Sequence, residues 1–199
     1  MGRYLTTYIV SGYMRTGTSM MMQCLVACGM ESVHDLRREQ MNQRWGDRFY
    51  RPNKHGFYEP WYSQLRDPGF PRQYEGKLLK VLWGGLSALV ELPGGYKIVF
   101  MRRHPEEIRQ SYEGFFGKPL RLPSLFHYEE RMRYALDYIE NRSDMQLSAV
   151  FQYRDVVDNP LPAFQKLANA GWPIDPHVAA AQVDPTQCRF KLENLEVGI

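Results

Sequence analysis

Residues 8–19 read Tyr8-Ile9-Val10-Ser11-Gly12-Tyr13-Met14-Arg15-Thr16-Gly17-Thr18-Ser19. The aromatic and β-branched run at residues 8–10 ends at Gly12, which is typical of a buried strand. A helix is predicted over residues 18–28, because nearly all of its positions are apolar and Gly29 follows. This segment therefore predicts a strand, a glycine-flanked loop and a buried helix.

The loop between this strand and this helix has the outline of a phosphate-binding loop. Gly12 and Gly17 have the spacing Gly-x-x-x-x-Gly-x-Ser, in which loop amides and the start of a helix converge on an anion. Thr18 occupies the position of the lysine in nucleoside-triphosphate-binding loops, so a magnesium-dependent ATPase or kinase is disfavoured. Arg15 provides a positive charge within the loop instead. An anion site is predicted, and a plain turn without a ligand is the alternative.

The rest of the chain alternates predicted strands with predicted helices. Further strands are predicted over residues 78–82, 96–101 and 147–153, and further helices start at Pro105, cover residues 128–141 and run from Pro160 to Gly171. Such alternation predicts an α/β protein with a three-layer P-loop NTPase-like fold, in which helices flank a central parallel sheet. At 199 residues the chain is expected to form one domain over residues 1–199.

Composition narrows the classes of ligand. The sequence contains 44% hydrophobic and 24% charged residues, which predicts a globular protein. Its basic side chains are mostly arginine, whose planar guanidinium matches phosphate or sulfate oxygens. Acids are interspersed among these bases, so nucleic acid is not an expected partner. The longest apolar stretch, at residues 81–90, is too short for a membrane span, and a cytoplasmic location without membrane association is expected.

Residues 13–19 resemble the first signature of the sulfotransferases that use 3′-phosphoadenosine 5′-phosphosulfate (PAPS). That signature reads Tyr-Pro-(Lys/Arg)-(Ser/Thr)-Gly-Thr-(Thr/Ser), and Met14 replaces the proline here. The resemblance implies that the loop holds the 5′-phosphosulfate, with Arg15 near the transferring group as both a cofactor-binding and a catalytic residue. The other cofactor-binding residues that it implies in this loop are Thr16, Gly17, Thr18 and Ser19.

A second signature of this family, Arg-x-Pro-x-(Asp/Glu)-x-x-x-Ser, is matched at every position by Arg103, Pro105, Glu107 and Ser111. The resemblance implies that Arg103 and Ser111 bind the 3′-phosphate. Arg103 follows a predicted strand, at the edge of a parallel sheet that usually binds ligands. The alternative is that Arg102 and Arg103 are a solvated pair at the start of a helix. Residues 151–156 also resemble the family's strand ending in Tyr-Glu-Asp-Leu, which implies Tyr153 as a nucleotide contact.

The catalytic residues are less clearly marked. Lys80 corresponds to the lysine of the family's Lys-Thr-His strand and is expected to stabilise charge on the bridging oxygen, whereas Leu82 replaces the histidine base. Residues 53–59 resemble the Asn-Pro-x-Gly-(Phe/Tyr)-x-Glu segment of bacterial and protein-sulfating relatives. This indicates Glu59 as the base, with His55 as second choice, unless both are solvated loop residues. Residues 37–76 are a candidate acceptor-side lid, because long aromatic-rich loops in compact domains are often functional.

The function expected from the resemblance is transfer of a sulfuryl group from PAPS to an acceptor hydroxyl or amine, with PAP as product and without a metal. The acceptor is expected to be a small molecule or a carbohydrate. Two alternatives remain, a non-catalytic nucleotide-binding protein on the same fold and a degenerate P-loop kinase. The sequence does not indicate the oligomeric state.

Overall fold

A computed structural model of the chain describes residues 5–33, 59–60, 62–119 and 123–187. Within these ranges, one sheet has the strand order β2-β1-β3-β4, and every neighbouring pair is parallel. The strands are β1 at Thr7–Gly12, β2 at Leu78–Lys80, β3 at Tyr96–Arg102 and β4 at Met145–Gln152.

Helices connect and cover these strands. The described helices are α1 at Thr18–Ala27, α2 at Tyr62–Leu65, α3 at Gly69–Arg72, α4 at Pro105–Phe116, α5 at Pro123–Phe126, α6 at Tyr128–Glu140, α7 at Tyr153–Asp158, α8 at Pro160–Asn169 and α9 at Pro176–Ala180. Two 3-10 helices lie at Trp83–Ala88 and Pro185–Gln187. No helix in the described part of the chain is long and apolar enough to cross a membrane.

Successive side chains of a strand point to opposite faces of the sheet, and both faces are buried here. On one face, Ile9 and Ile98 form a core with Ile108 of α4 and Met132 of α6. On the other face lies a core that contains Val10, Val99, Met21 and Leu25 of α1, Phe164 of α8 and Ala179 of α9. Fully burying a side chain such as Phe164 contributes about 1.5–3 kcal/mol. The predicted fold class, a three-layer α/β P-loop-like fold with a central parallel sheet, is confirmed.

Several predicted boundaries were wrong by one or two residues. The strand predicted over residues 78–82 ends at Lys80, because the chain turns there into the 3-10 helix Trp83–Ala88. The strand predicted over residues 147–153 begins earlier, at Met145, and it ends at Gln152 because Tyr153 opens α7. Short helices α2 and α3 interrupt the segment at residues 37–76 that was predicted to be irregular, and residues 34–58 lie outside the described residues.

The topology brings the chemically important residues to one edge of the sheet. Because all four described strands run in parallel, their carboxyl ends lie at the same edge, where ligands of open α/β sheets usually bind. β1 ends in the glycine-flanked loop, and β2 ends at Lys80. Arg103 follows β3, and Tyr153 follows β4. Each strand therefore contributes a polar or aromatic residue to a common region.

Candidate functional site

The loop after β1 requires glycine at both of its ends. Gly12 has a φ of 145°, and a Cβ placed there would lie 2.4 Å from the main-chain oxygen of Met101. Gly17 has a φ of 94°, and a Cβ there would lie 2.3 Å from Cδ2 of Tyr153. Both positions combine a left-handed conformation with a close approach that only glycine tolerates. The loop is therefore packed directly against the end of β3 and the start of α7.

Arg15 lies at the centre of this loop in a conformation that is unusual for its residue type. Its φ is 65°, and it is the one non-glycine residue with positive φ among the described residues. Such a conformation costs of order 1–3 kcal/mol and persists only where the surrounding structure holds it. The Nε of Arg15 donates a hydrogen bond to Oγ of Ser111 on α4, at 3.2 Å. The two residues that the family signatures assign to different phosphate groups are therefore in direct contact.

Arg103 is buried, with 7% of the residue exposed, so the alternative of a solvated pair does not apply to it. Its Nη1 donates to the main-chain oxygen of Arg15 at 3.3 Å, and its Nε donates to Oε2 of Glu107 at 3.0 Å. The ring of Tyr153 covers the guanidinium, with its centroid 4.2 Å from Cζ. The main-chain nitrogen of Arg103 donates to the hydroxyl of Tyr128 at 3.2 Å. Arg103 thus joins the loop, α4, α6 and α7.

Glu107 is the acidic residue within this cluster of arginines. Its side chain is 4% exposed, and its two oxygens accept hydrogen bonds from different arginines. The Nη2 of Arg154 donates to Oε1 at 2.6 Å, while Arg103 donates to Oε2. Burial alone would raise the pKa of Glu107, but the hydrogen bonds and charges of Arg154 and Arg103 outweigh burial and lower this pKa below its ordinary value. The carboxylate is therefore ionised at neutral pH.

Lys80, at the end of β2, forms a second polar group beside the start of α1. Its side chain is 9% exposed, and its Nζ lies 2.8 Å from Oε1 of Glu59. The same Nζ donates to Oγ of Ser19 at 3.1 Å. Lys80 therefore places an ammonium beside the loop and helix that lack the lysine of nucleoside-triphosphate-binding loops. Three of the described residues are expected to be catalytic, and two of them, Lys80 and Glu59, are in contact.

The remaining loop residues support its shape. Thr16 is fully buried, and its hydroxyl donates to the main-chain oxygen of Tyr13 at 2.7 Å. Thr18 is buried as the first residue of α1. The ring of Tyr13 stacks on Trp83, with a centroid distance of 6.4 Å, and meets Tyr128 edge-on at 5.5 Å. The hydrogen bond of Thr16 and the ring contacts of Tyr13 therefore stabilise the loop.

Most of the residues predicted for the site thus converge at this edge of the sheet. Arg15, Ser111, Arg103 and Tyr153 form one connected set with the loop, and Lys80, Ser19 and Glu59 form another. His55 lies outside the described residues, so the second choice of base stays a prediction. No group of three or more His, Cys, Asp or Glu side chains suited to a metal ion occurs in the described ranges.

Sequence patterns did not identify two residues of this cluster as functional. Glu107 was identified only as a match to the second signature, and its contact with Arg154 was not predicted. Arg154 was not assigned a role, because it meets Glu107 across 47 positions of sequence. The only available signal was the position of Arg154, directly after a predicted strand end that was expected at the same edge of the sheet.

No family model and no curated protein matches the chain. Among solved structures, it is similar to retinol dehydratase in complex with androsterone and inactive cofactor PAP, with 12% identity and a TM-score of 0.46. The match covers 94% of this chain but 65% of the retinol dehydratase chain. The chain is also similar to a gluconokinase from Sinorhizobium meliloti 1021, with 15% identity and a TM-score of 0.42, covering 84% of this chain and 96% of that chain.

A third similar structure is an unliganded sugar kinase from Janibacter sp. HTCC2649. It has 16% identity and a TM-score of 0.42, and the match covers 87% of this chain and 98% of the kinase chain. At this level of identity and superposition, these similarities assign no activity to the chain.

Proposed function

We propose that this chain is a PAPS-dependent sulfotransferase that transfers a sulfuryl group to a hydroxyl or amine of a small-molecule or carbohydrate acceptor. The observation that carries the proposal is that Arg15 contacts both Ser111 and Arg103, the two residues that the second signature assigns to the 3′-phosphate. Arg15 donates to Ser111 and accepts from Arg103 within one network. A nucleotide with phosphates at both its 5′ and 3′ positions needs two adjacent groups of donors, and this network joins two such groups.

The residues present fit such a cofactor in charge and donor type. Guanidinium groups bind phosphate and sulfate oxygens with paired hydrogen bonds, and Arg15 and Arg103 provide two of them. The hydroxyl of Ser111 provides a further donor beside Arg15. At the base of the loop, Oγ of Ser11 is buried and has no hydrogen-bond partner in the described part of the chain. The ring of Tyr153 is buried between Gly17 and Arg103, and its role as a nucleotide contact stays a prediction.

The chemistry that PAPS supplies when bound is an activated sulfuryl group, whose departure leaves PAP. Arg15 and the loop amides would hold the 5′-phosphosulfate, and Arg103 and Ser111 would hold the 3′-phosphate. Lys80 would stabilise the negative charge that develops on the leaving phosphate oxygen. Glu59 would take the proton from the acceptor hydroxyl, because a carboxylate is a competent general base within hydrogen-bond reach. The ion pair of Lys80 and Glu59 keeps these two groups together.

The residue at the lysine position of the loop disfavours the kinase alternative. Thr18 is buried at the first position of α1, where nucleoside-triphosphate-binding loops place a lysine that reaches the β- and γ-phosphates. The ammonium of Lys80 comes instead from the neighbouring strand β2. A non-catalytic binder on the same fold would share the phosphate site, so turnover is the property that separates it from an enzyme.

The test of turnover uses sulfur-labelled PAPS and a panel of phenols, monosaccharides and primary amines. We expect time-dependent transfer of the label to at least one class of acceptor, with one PAP released for each label transferred. Lys80→Met serves as the matched inactive variant, because it removes the ammonium while keeping a side chain of similar length. PAP binding without label transfer to any acceptor would contradict an enzymatic role and favour the non-catalytic binder.

A further inference from the structure

An open cavity of about 550 Å³ lies between the 3-10 helix Trp83–Ala88 and α6. Trp83 forms one wall, and the other lining residues that the structure describes belong to α6 or directly precede it. Glu130, Arg133 and Asp137 follow one another at spacings of three and four residues, so they lie along one face of α6. A polar outer face is usual for a surface helix, but a cavity walled by a tryptophan is not part of that pattern.

Trp83 connects this cavity to the candidate site at the edge of the sheet. It lies shortly after Lys80, the residue at which β2 ends. Its ring stacks on Tyr13 of the loop after β1, with a centroid distance of 6.4 Å. The guanidinium of Arg131 lies 5.7 Å from the centre of the same ring. A molecule in the cavity would therefore contact a residue that itself packs against the loop.

The described part of the predicted acceptor-side lid contacts the same 3-10 helix. A Cβ placed on Gly84 would lie 2.7 Å from the hydroxyl oxygen of Tyr62, and a Cβ on Gly85 would lie 3.0 Å from Cδ1 of Leu65. Tyr62 and Leu65 are the first and last residues of α2. The segment that was predicted to face the acceptor therefore adjoins the element that forms the wall of the cavity.

The polar lining of the cavity suits a ligand with several hydroxyl groups. Arg131 and Arg133 provide hydrogen-bond donors, whereas the carboxylates of Glu130 and Asp137 provide acceptors. A hydroxyl group both donates and accepts hydrogen bonds, so neighbouring hydroxyls of a sugar ring match both kinds of side chain at once. Donors and acceptors of this kind alternate along the lining face of α6.

Other classes of acceptor fit this lining less well. A phenol or a sterol presents a large apolar surface, and pockets for such ligands are lined predominantly by hydrophobic side chains. Five of the seven described lining residues are titratable instead. A primary ammonium would be repelled by the two arginines. The aromatic rings of Trp83 and Tyr134 still provide surface against which the C–H face of a sugar ring can pack.

We propose that this cavity is the acceptor site and that the acceptor is a carbohydrate of one or two sugar units. This inference rests on the proposed function, because it takes the transferred group to be the sulfuryl group of PAPS. The volume lies within the range of about 300–1,000 Å³ that is typical of small-molecule sites. Arg133 and Asp137 bind hydroxyls that are not sulfated, and Trp83 positions the sugar ring beside the loop.

The transfer itself involves one hydroxyl of the bound sugar. Its oxygen forms a bond to the sulfur of PAPS, and the bond between that sulfur and the bridging phosphate oxygen breaks, which releases PAP. The hydroxyl proton passes to Glu59, and Lys80 stabilises the leaving phosphate oxygen. The cavity residues take no part in these steps and act by holding the sugar.

The experiment supplies sulfur-labelled PAPS together with mono- and disaccharides, phenols or primary amines. We expect label on a sugar hydroxyl and much less on the other two classes. For the best sugar, Asp137→Ala and Arg133→Ala should each raise KM about 10- to 100-fold with kcat nearly unchanged, because each removes a charge-assisted hydrogen bond that the substrate makes before and during transfer. Glu140→Ala is the matched control, because Glu140 is also exposed on α6 but does not line the cavity, and its KM should be unchanged.

The outcomes separate this inference from the proposed function. Label on phenols or amines but not on sugars would overturn the inference and leave a sulfotransferase standing. Label on a sugar, with an unchanged KM in both Asp137→Ala and Arg133→Ala, would overturn the cavity as the acceptor site and likewise leave the sulfotransferase standing. Failure to label any acceptor would overturn the proposed function and this inference with it.

Discussion

Arg103 donates a hydrogen bond from Nη1 to the main-chain oxygen of Arg15, at a distance of 3.3 Å. This bond joins the residue after β3 to the centre of the loop after β1. Arg15 has a left-handed backbone conformation, with a φ of 65°, that a side chain disfavours. Arg103 therefore supports the loop conformation, and in the proposed function it would also hold the 3′-phosphate.

Replacement of Arg103 by alanine tests both roles at once. We expect Arg103→Ala to weaken AMP binding, because the loop loses its support, and to weaken PAP binding further. The preference for PAP over AMP should fall by at least about tenfold, as one charge-assisted hydrogen bond is worth about 1.5–3 kcal/mol. Calorimetric titration of both nucleotides measures this ratio. An unchanged ratio would contradict the assignment of Arg103 to the 3′-phosphate.

Replacement of Glu107 by glutamine tests the buried charge cluster through stability. Loss of one partner of a buried ion pair is expected to lower the free energy of unfolding by about 3–5 kcal/mol at neutral pH, measured by urea denaturation. The neighbouring variant Glu106→Gln, at a partly exposed surface pair, should lower it by about 1 kcal/mol or less. Equal effects of the two variants would contradict a special role for Glu107.

The effect of Glu107→Gln should also depend on pH. Arg154 and Arg103 lower the pKa of Glu107 in the folded protein, although burial opposes them. The ionised carboxylate therefore stabilises the fold above its ordinary pKa of 4.5, and this contribution is lost as the pH falls through the lowered value. The stability difference between native and variant protein should be full at neutral pH and should shrink below about pH 4.5. A difference that grows on acidification would contradict this.

Replacement of Gly17 by alanine tests the packing of the loop against Tyr153. A Cβ at this position would lie 2.3 Å from Cδ2 of Tyr153, so the ring or the loop has to move. Gly29→Ala is a matched control, because Gly29 has a similar φ of 87° but no atom within 4 Å of the added Cβ. Both variants should lose about 1–2 kcal/mol of stability from the backbone conformation. Only Gly17→Ala should also lose PAP binding in calorimetry.

Replacement of Glu59 by glutamine tests the proposed base. We expect kcat with labelled PAPS and a responsive acceptor to fall by about 100- to 10,000-fold, the range for loss of a general base. PAP affinity should be unchanged, because Glu59 contacts Lys80 rather than the cluster around Glu107. Glu31→Gln, which breaks a more exposed lysine–glutamate pair with Lys77, is the control. A normal kcat in Glu59→Gln would exclude Glu59 as the base.

The fold could be predicted from the sequence because its signals are local. The aromatic and β-branched run at residues 8–10 and the apolar run at residues 18–28 each form the expected element, since burial on both faces requires apolar residues throughout. The end of β4 could not be predicted, because tyrosine favours strands by local propensity. Tyr153 instead opens α7, and its ring packs between Gly17 and Arg103. These contacts come from distant parts of the sequence.

The candidate site was predictable where it depends on spacing and not where it depends on tertiary contact. Arg103 and Glu107 occupy fixed positions of one signature, four residues apart, so both could be located from the sequence. The contact of Arg154 with the same carboxylate depends on how α7 leaves β4, which no local pattern encodes. The pairing of Lys80 with Glu59 likewise depends on how a distant segment reaches the end of β2.

The most direct test of the central claim is calorimetric titration of the native protein with PAP, ADP and ATP, each with and without magnesium. A site for phosphates at the 3′ and 5′ positions predicts PAP binding that does not depend on magnesium and is much tighter than ADP binding. Preference for ATP in the presence of magnesium would contradict the claim and favour a kinase. Failure to bind any of the three nucleotides would also contradict it.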